Sequence, residues 1–222
     1  MDIRKHIAVR LSKRGFWCAV LTIACQIATY AASQLAVRLL GLPTHTAALA
    51  WDAFIPFLPG FLVPYLGCFL HWVATFYLLA ADEDGFSRFF AGAVLGYVIS
   101  MAVFLLWPVT IARPDPAEAG WWEWLYRIVC GVDSPLNLFP SIHCFAAWMC
   151  YLGVRRSPAV GVWYRWFTLV MAITVFASTV FVKQHYIIDV AGGVALAQLC
   201  WLAAGFGPVR ARAARIIMRL PK

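Results

Sequence analysis

Charged residues are scarce in this chain. Only 13% of its 222 residues are Asp, Glu, Lys or Arg, 63% are hydrophobic, and the mean hydropathy is +0.78. A water-soluble domain of this size does not need so apolar a surface, whereas a bundle of membrane-spanning helices does. The composition therefore excludes an ordinary soluble domain and predicts a membrane protein.

The few basic residues are unevenly distributed. A net charge of +8 is large enough for nucleic-acid binding, but the basic residues do not form the continuous patch that such binding requires. Of the 18 Lys and Arg residues, all but Arg38, Arg113, Arg127 and Lys183 fall in four places: the N-terminus (Arg4, Lys5, Arg10, Lys13, Arg14), Arg88, a patch (Arg155, Arg156, Arg165) and the tail (Arg210, Arg212, Arg215, Arg219, Lys222). Cytoplasmic segments of membrane proteins carry such an excess. The pattern predicts that both termini are cytoplasmic and that no nucleic acid is bound.

Several familiar signals are missing. The seven Cys include no C-x-x-C pair and lie mostly in apolar runs, and no Asp, Glu or His cluster has metal-ligand spacing. We therefore expect neither a metal site nor a cofactor. No internal repeat, low-complexity segment or linker divides the chain, which predicts one membrane domain over 1–222. Its core is expected at 50–205, with basic cytoplasmic tails at 1–14 and 208–222.

The apolar runs predict an all-α fold, a polytopic membrane bundle of six transmembrane helices. A helix needs about 20 apolar residues to cross a bilayer, and a shorter one can serve where its end is recessed to form a pocket. The expected spans are 15–40, 60–79 after a kinked start at 50–59, 86–107, a short one at 140–154, 161–182 and 186–206. The Trp-rich interval between 108 and 138 predicts a short helix on the outer membrane surface, because Trp and Tyr concentrate at headgroup level. With both termini cytoplasmic, Arg113, His143, Lys183 and His185 share the extracytoplasmic side.

Two histidines at the ends of apolar runs are the main candidates for catalysis. Ionisable groups are costly in hydrocarbon, so their presence is a functional hypothesis by default. His185 and Asp189 are four residues apart, which places them on one face of a helix, where the carboxylate can orient the imidazole. His185 is thus the better nucleophile toward phosphorus, and His143 is left as the general acid for the departing oxygen.

A phosphate site is predicted around the same histidines. Pro140 suits the first turn of a helix, whose free N–H groups would bind an anion together with the Ser141 hydroxyl. Arg113 offers a guanidinium fork for phosphate oxygens, and Lys183 supplies a second positive charge. The predicted phosphate-binding residues are therefore Arg113, Ser141 and Lys183.

These motifs resemble the type 2 phosphatidic acid phosphatase superfamily of lipid phosphatases, histidine acid phosphatases and vanadium haloperoxidases. Its Pro-Ser-x-His motif corresponds to residues 140–143, and its His-x-x-x-Asp motif to 185–189. The longer sequence stretches at 137–143 and 183–186 look most like those of the branch that contains inositol phosphorylceramide synthases and their bacterial relatives. The family pattern has a Lys at the position that Leu106 occupies in this chain. It also has Ser-Arg at positions 178–179, where this chain has Ser-Thr. Those departures fit the synthase-like branch better than the plain phosphatases.

The sequence is compatible with three functions. The leading expectation is a metal-independent lipid phosphate phosphatase, a phosphoric monoester hydrolase that acts through a phosphohistidine at the outer leaflet of a bacterial cell membrane. The alternative is a transferase that passes a phosphoryl group or phospho-headgroup to a lipid alcohol. A non-catalytic transporter or assembly protein is the third. An apolar pocket leaves no short motif, so the lipid phosphate substrate is not named by the sequence.

Overall fold

The computed structural model describes residues 13–220, which form eight α-helices and no β-strand. They are α1 (Lys13–Leu39), α2 (Leu62–Leu79), α3 (Glu83–Leu106), α4 (Glu123–Val132), α5 (Ile142–Val154), α6 (Val162–Phe181), α7 (Ile187–Ala203) and α8 (Gly207–Met218). One isolated bridge joins His45 and Val109. The prediction of an all-α fold is confirmed for this part of the chain, and the basic stub at 1–12 and residues 221–222 lie outside it.

Four of these helices are long and apolar enough to cross a membrane, namely α1, α2 with the turn before it, α3 and α6. Helices α7 and α8 meet at 92° and add a fifth span if the bent pair is counted as one. Helix α5 has 13 residues, a length of about 20 Å, which is shorter than a typical hydrocarbon core. The structure therefore supports a membrane protein with four or five spans by length and composition, and the count of six stays a prediction.

Short 3₁₀ helices precede two of the α-helices, where proline interrupts the chain. Ala50–Phe54 and Pro59–Phe61 lead into α2, at the kinked start that the prolines predict. Pro116–Trp122 leads into α4, which occupies the Trp-rich interval. Trp121 is 96% exposed and Trp124 is 63% exposed, as expected for side chains that would meet lipid headgroups.

Helix α5 is the centre of the bundle and packs against α2, α3, α6 and α7. Its contact with α7 is especially close, because a Cβ atom built on Gly193 would lie 2.4 Å from the Ser141 carbonyl oxygen. Glycine is required for such an approach. The Ser141 N–H also donates to the Asp189 carbonyl, at 3.1 Å. These contacts join the starts of α5 and α7, and with them the two histidine motifs.

The opposite end of the bundle gathers acidic and basic side chains. Asp82 caps α3 by accepting from Gly85 N–H at 2.9 Å, and it also accepts from Ser157 Oγ at 2.7 Å. Arg210 of α8 pairs with Asp84 at 3.1 Å. The turns between α2 and α3, α5 and α6, and α7 and α8 all lie at this end, whereas α5 and α7 begin at the other. The charged groups at this end are therefore remote from the histidine motifs.

Candidate active site

His185 and Asp189 form the predicted pair, but they do not share a face of one helix as their spacing predicted, because α7 begins at Ile187 and His185 lies before its cap. His185 Nδ1 lies 3.4 Å from Asp189 Oδ2, and the two side chains are 8% and 0% exposed. The same carboxylate oxygen accepts the Tyr186 N–H at 2.8 Å, which caps the first turn of α7. The backbone N–H of His185 donates to the Thr179 carbonyl at 3.1 Å. Since Nδ1 faces the carboxylate, Nε2 is the nitrogen left for chemistry.

His143 faces His185 from the first turn of α5. The two imidazole rings are 5.8 Å apart between centroids and inclined at 62°. Three aromatic rings surround His143: Tyr65 stacks on it at 4.7 Å, and Phe69 and Trp72 lie at 5.6 Å. Its Nε2 is buried and has no hydrogen-bond partner within residues 13–220. A group bound between the rings can therefore reach both histidines.

Arg113 joins the two histidines in the lining of one cavity of about 360 Å³. Arg113 Nη1 donates to the Asp133 carbonyl, and its Nε is buried without a partner in the described chain. Most of the remaining lining is apolar and comes from α1, α2, α4 and the segment before α5, including Ile27, Leu66, Phe69, Ile128, Val132 and Leu136. We call this space the apolar cavity. An apolar pocket with a few convergent polar groups is the usual form of a small-molecule or lipid site.

Ser141 caps α5 and lines neither of the two cavities described here. Its hydroxyl accepts from the Cys144 N–H at 3.3 Å, and its side chain is fully buried. Helix α5 begins at Ile142, so Pro140 precedes the cap and does not lie in the first turn as expected. The difference arises because a Ser side chain prefers the cap position itself. A phosphate contact from Ser141 stays a prediction.

Lys183 lies apart from Arg113, in a second and more polar cavity of about 320 Å³. Its backbone adopts a φ of 54° where α6 ends, and its Nζ donates to the Ile55 carbonyl. Asp52 and Tyr186 line the same cavity, and His185 lines both cavities. Arg113 and Lys183 therefore line different cavities, and His185 is common to both. The role of Lys183 as a phosphate ligand stays a prediction.

Sequence reasoning missed one acidic residue of the site. Asp133 follows the end of α4 and lines the apolar cavity. Tyr65 OH donates to its Oδ2 at 2.7 Å, and Tyr30 OH donates to its Oδ1. An isolated Asp after an amphipathic helix in the Trp-rich interval was the one available signal, since its partners lie 68 and 103 residues away in the chain.

No group of three or more His, Cys, Asp or Glu side chains within residues 13–220 is arranged to hold a metal ion. Arg113 gives the apolar cavity a positive charge. Charged donors of this kind can stabilise the oxygens of a phosphoryl group.

The apolar helices are those of an integral membrane protein, and its polar residues Arg113, His143 and His185 lie in a cavity within the helix bundle. A family model described as the PAP2 superfamily matches residues 63–203, more than half of the chain. The chain therefore belongs to the PAP2 superfamily, whose members are typically phosphatases or phosphotransferases. The matched segment contains Arg113 and both histidine motifs. No curated protein and no solved structure matches the chain, and the synthase-like branch stays a prediction.

Proposed function

We propose that this protein is a membrane-embedded, metal-independent lipid phosphate phosphatase. The observation that carries the proposal is the position of His185, which has a buried carboxylate at Nδ1 and shares a cavity with His143 and Arg113. A nucleophile, an acid opposite it and a cation for the phosphoryl oxygens are the parts that phosphoryl transfer needs. The apolar lining of the cavity suits the chain of a lipid.

The reaction takes place in two balanced steps. In the first, His185 Nε2 attacks phosphorus and the bond from phosphorus to the lipid oxygen breaks, while His143 gives its proton to that oxygen. Asp189 stabilises the imidazolium form of His185, and Arg113 stabilises the phosphoryl oxygens. In the second step, water attacks from the vacated side and gives a proton to His143. The electron pair of the nitrogen–phosphorus bond then returns to His185.

A headgroup or phosphoryl transferase is the second candidate, and the apolar cavity favours it specifically. The second nucleophile must approach from the place that the departed lipid occupied. Leu66, Phe69, Ile128 and Leu136 line this cavity, so another lipid alcohol can occupy the position as readily as water. In that case the phosphohistidine transfers its group to the lipid alcohol, whose proton goes to His143.

Incubation of the purified protein with a panel of lipid phosphates tests both candidates. Each substrate is supplied with and without an acceptor lipid alcohol, and free phosphate and lipid products are followed together. A phosphatase releases phosphate with water alone, whereas a transferase forms its product only when the acceptor lipid is present. Absence of both products for every substrate would contradict the enzyme proposal.

We propose further that the active site faces away from the cytoplasm. The acidic and basic side chains around Asp82, Asp84 and Arg210 gather at one end of the bundle, and the histidines lie at the other. Basic residues mark the cytoplasmic side of a membrane protein. The histidines would then meet lipids of the outer leaflet, in a bacterial inner membrane.

A further inference from the structure

The apolar cavity contains a carboxylate that the proposed phosphoryl transfer does not use. Asp133 lines this cavity together with Arg113 and the histidines. Tyr65 from α2 and Tyr30 from α1 each donate to one of its two oxygens. A carboxylate accepts hydrogen bonds and the phenols donate them, so its position is held from two helices. Tyr30 belongs to α1, outside the segment that matches the family.

This carboxylate is unfavourable for a ligand that carries only negative charge. A phosphate bound at Arg113 and the histidines would lie in the same cavity as Asp133. Like charges repel more strongly in an apolar, poorly solvated space than in water. By itself, the charge of Asp133 would weaken the binding of a simple lipid phosphate.

A ligand that also carries a positive charge reverses this effect. Arg113 Nη1 donates to the backbone carbonyl of Asp133, so the guanidinium and the carboxylate belong to neighbouring parts of one lining. A zwitterion with a short spacer can place its phosphate toward Arg113 and its ammonium toward Asp133. Tyr30, Tyr65 and Phe69 line the same cavity, and aromatic faces attract ammonium groups.

We propose that Asp133 is a specificity-determining residue that recognises an ammonium group close to the substrate's phosphate. The substrate class is then a phosphate ester of an amino alcohol. The ammonium can belong to the lipid, as in a long-chain base phosphate, or to the headgroup, as in an ethanolamine phospholipid. The inference rests on the proposed function, because it concerns the same cavity and the same bound phosphate.

Two pairs of ligands test the proposal and distinguish the two sources. One pair is a long-chain base phosphate and its N-acetyl derivative, and the other is an ethanolamine phospholipid and its N-acetyl derivative. Acetylation removes the positive charge and keeps the phosphate. For at least one pair, kcat/KM of the wild-type protein should favour the ammonium form by roughly tenfold or more, the size of a hydrogen bond between charged groups. Asp133→Asn should bring that ratio close to one.

Two further variants separate recognition from folding. Asp133→Glu keeps the charge and should keep the preference, even if overall activity falls. Glu123→Gln removes one negative charge from the same outer segment, where Glu123 forms an exposed pair with Arg127, and should leave the ratio unchanged. Equal kcat/KM for both members of both pairs in the wild-type protein would overturn the proposal, and so would an undiminished preference in Asp133→Asn.

Binding to a variant without the nucleophile keeps this test independent of turnover. His185→Ala and the double variant His185→Ala/Asp133→Asn are compared in detergent micelles with the same ligand pairs. If ammonium ligands bind better only when Asp133 is present, but the wild-type protein turns over none of them, the inference stands and the phosphatase proposal fails. If the wild-type protein hydrolyses the ligands without regard to the ammonium group, the proposed function stands and the role of Asp133 is refuted.

Discussion

The two histidines have different surroundings, and their roles should differ accordingly. His185 has a carboxylate at Nδ1, whereas His143 lies among aromatic rings. A nucleophile is needed for every substrate, but a general acid matters only when the leaving oxygen is basic. The structure thus supports a division of labour that the single-residue variants can reveal.

The first prediction compares His143→Ala with His185→Ala on two kinds of substrate. His185→Ala should lose activity toward all phosphate esters by orders of magnitude. His143→Ala should slow hydrolysis of a lipid monoester by roughly 10²–10⁴-fold, yet spare the first-turnover release of nitrophenolate from an aryl phosphate, because a nitrophenolate leaves without a proton. Product release within the first turnover, followed on both substrates, provides the measurement. Equal losses of both variants on the aryl phosphate would refute the assignment of roles.

The second prediction is that activity survives metal chelation. Arg113 supplies positive charge in the apolar cavity, and Lys183 lies beside His185 in the second cavity. Turnover measured in excess EDTA should match turnover without it. Full loss of activity in EDTA, restored by added Mg²⁺, would show that a metal supplies the charge instead.

At the scale of helices, the contact between α5 and α7 positions the chemistry. His143 lies in the first turn of α5, and His185 lies just before α7. Their distance therefore depends on how closely the two helices approach at Gly193, where no Cβ atom fits against the Ser141 carbonyl. The backbone hydrogen bond from the Ser141 N–H to the Asp189 carbonyl also requires this close approach of the two helices.

The third prediction is that Gly193→Ala lowers both stability and activity strongly, although it adds only one methyl group. The added methyl group would lie 2.4 Å from a backbone oxygen, so the helices must separate. Overpacking of this kind costs about 1–3 kcal/mol. A lower melting temperature in detergent and a large loss of activity are expected. Gly67→Ala is the matched control, since nothing lies within 4 Å of the added carbon, and it should preserve both. Equal behaviour of the two variants would argue against the close contact.

Local spacing made part of the site predictable from sequence. The spacing of four residues predicted that His185 pairs with Asp189, although His185 precedes α7, and both histidine motifs could be recognised on their own. Asp133 could not be assigned, because its contacts with Tyr30 and Tyr65 depend on how α1 and α2 pack. The placement of Lys183 depends on the left-handed backbone at the end of α6, which composition does not reveal.

The helices themselves followed from apolar runs, and their ends were harder to place. Pro140 indicated the start of α5, but Ser141 takes the cap and the helix begins at Ile142. The apolar run at 186–206 covers α7 and the turn after it, and the chain then bends by 92° into α8, the helix of the basic tail. Hydropathy predicts where an apolar run ends and does not report such a bend.

For the whole molecule, access of lipids to the active site depends on which end of the bundle faces the cytoplasm. The fourth prediction uses a background in which the seven native Cys are replaced. Asp115→Cys, near Arg113, should react with a membrane-impermeant thiol reagent in intact cells. Arg156→Cys, at the end with the basic patch, should react only after lysis. The reverse pattern of labelling would invert the orientation.

The most direct test of the proposed function is to detect the phosphoryl group on His185. Protein mixed with a lipid phosphate labelled at phosphorus is quenched in alkali within the first turnover, and the label is mapped by peptide. The account predicts an acid-labile, alkali-stable phosphohistidine at His185, absent from His185→Ala. In His143→Ala, phosphohistidine formed from the aryl phosphate should accumulate, because no base activates the water. Label on His143, or turnover without any labelled protein, would contradict the account.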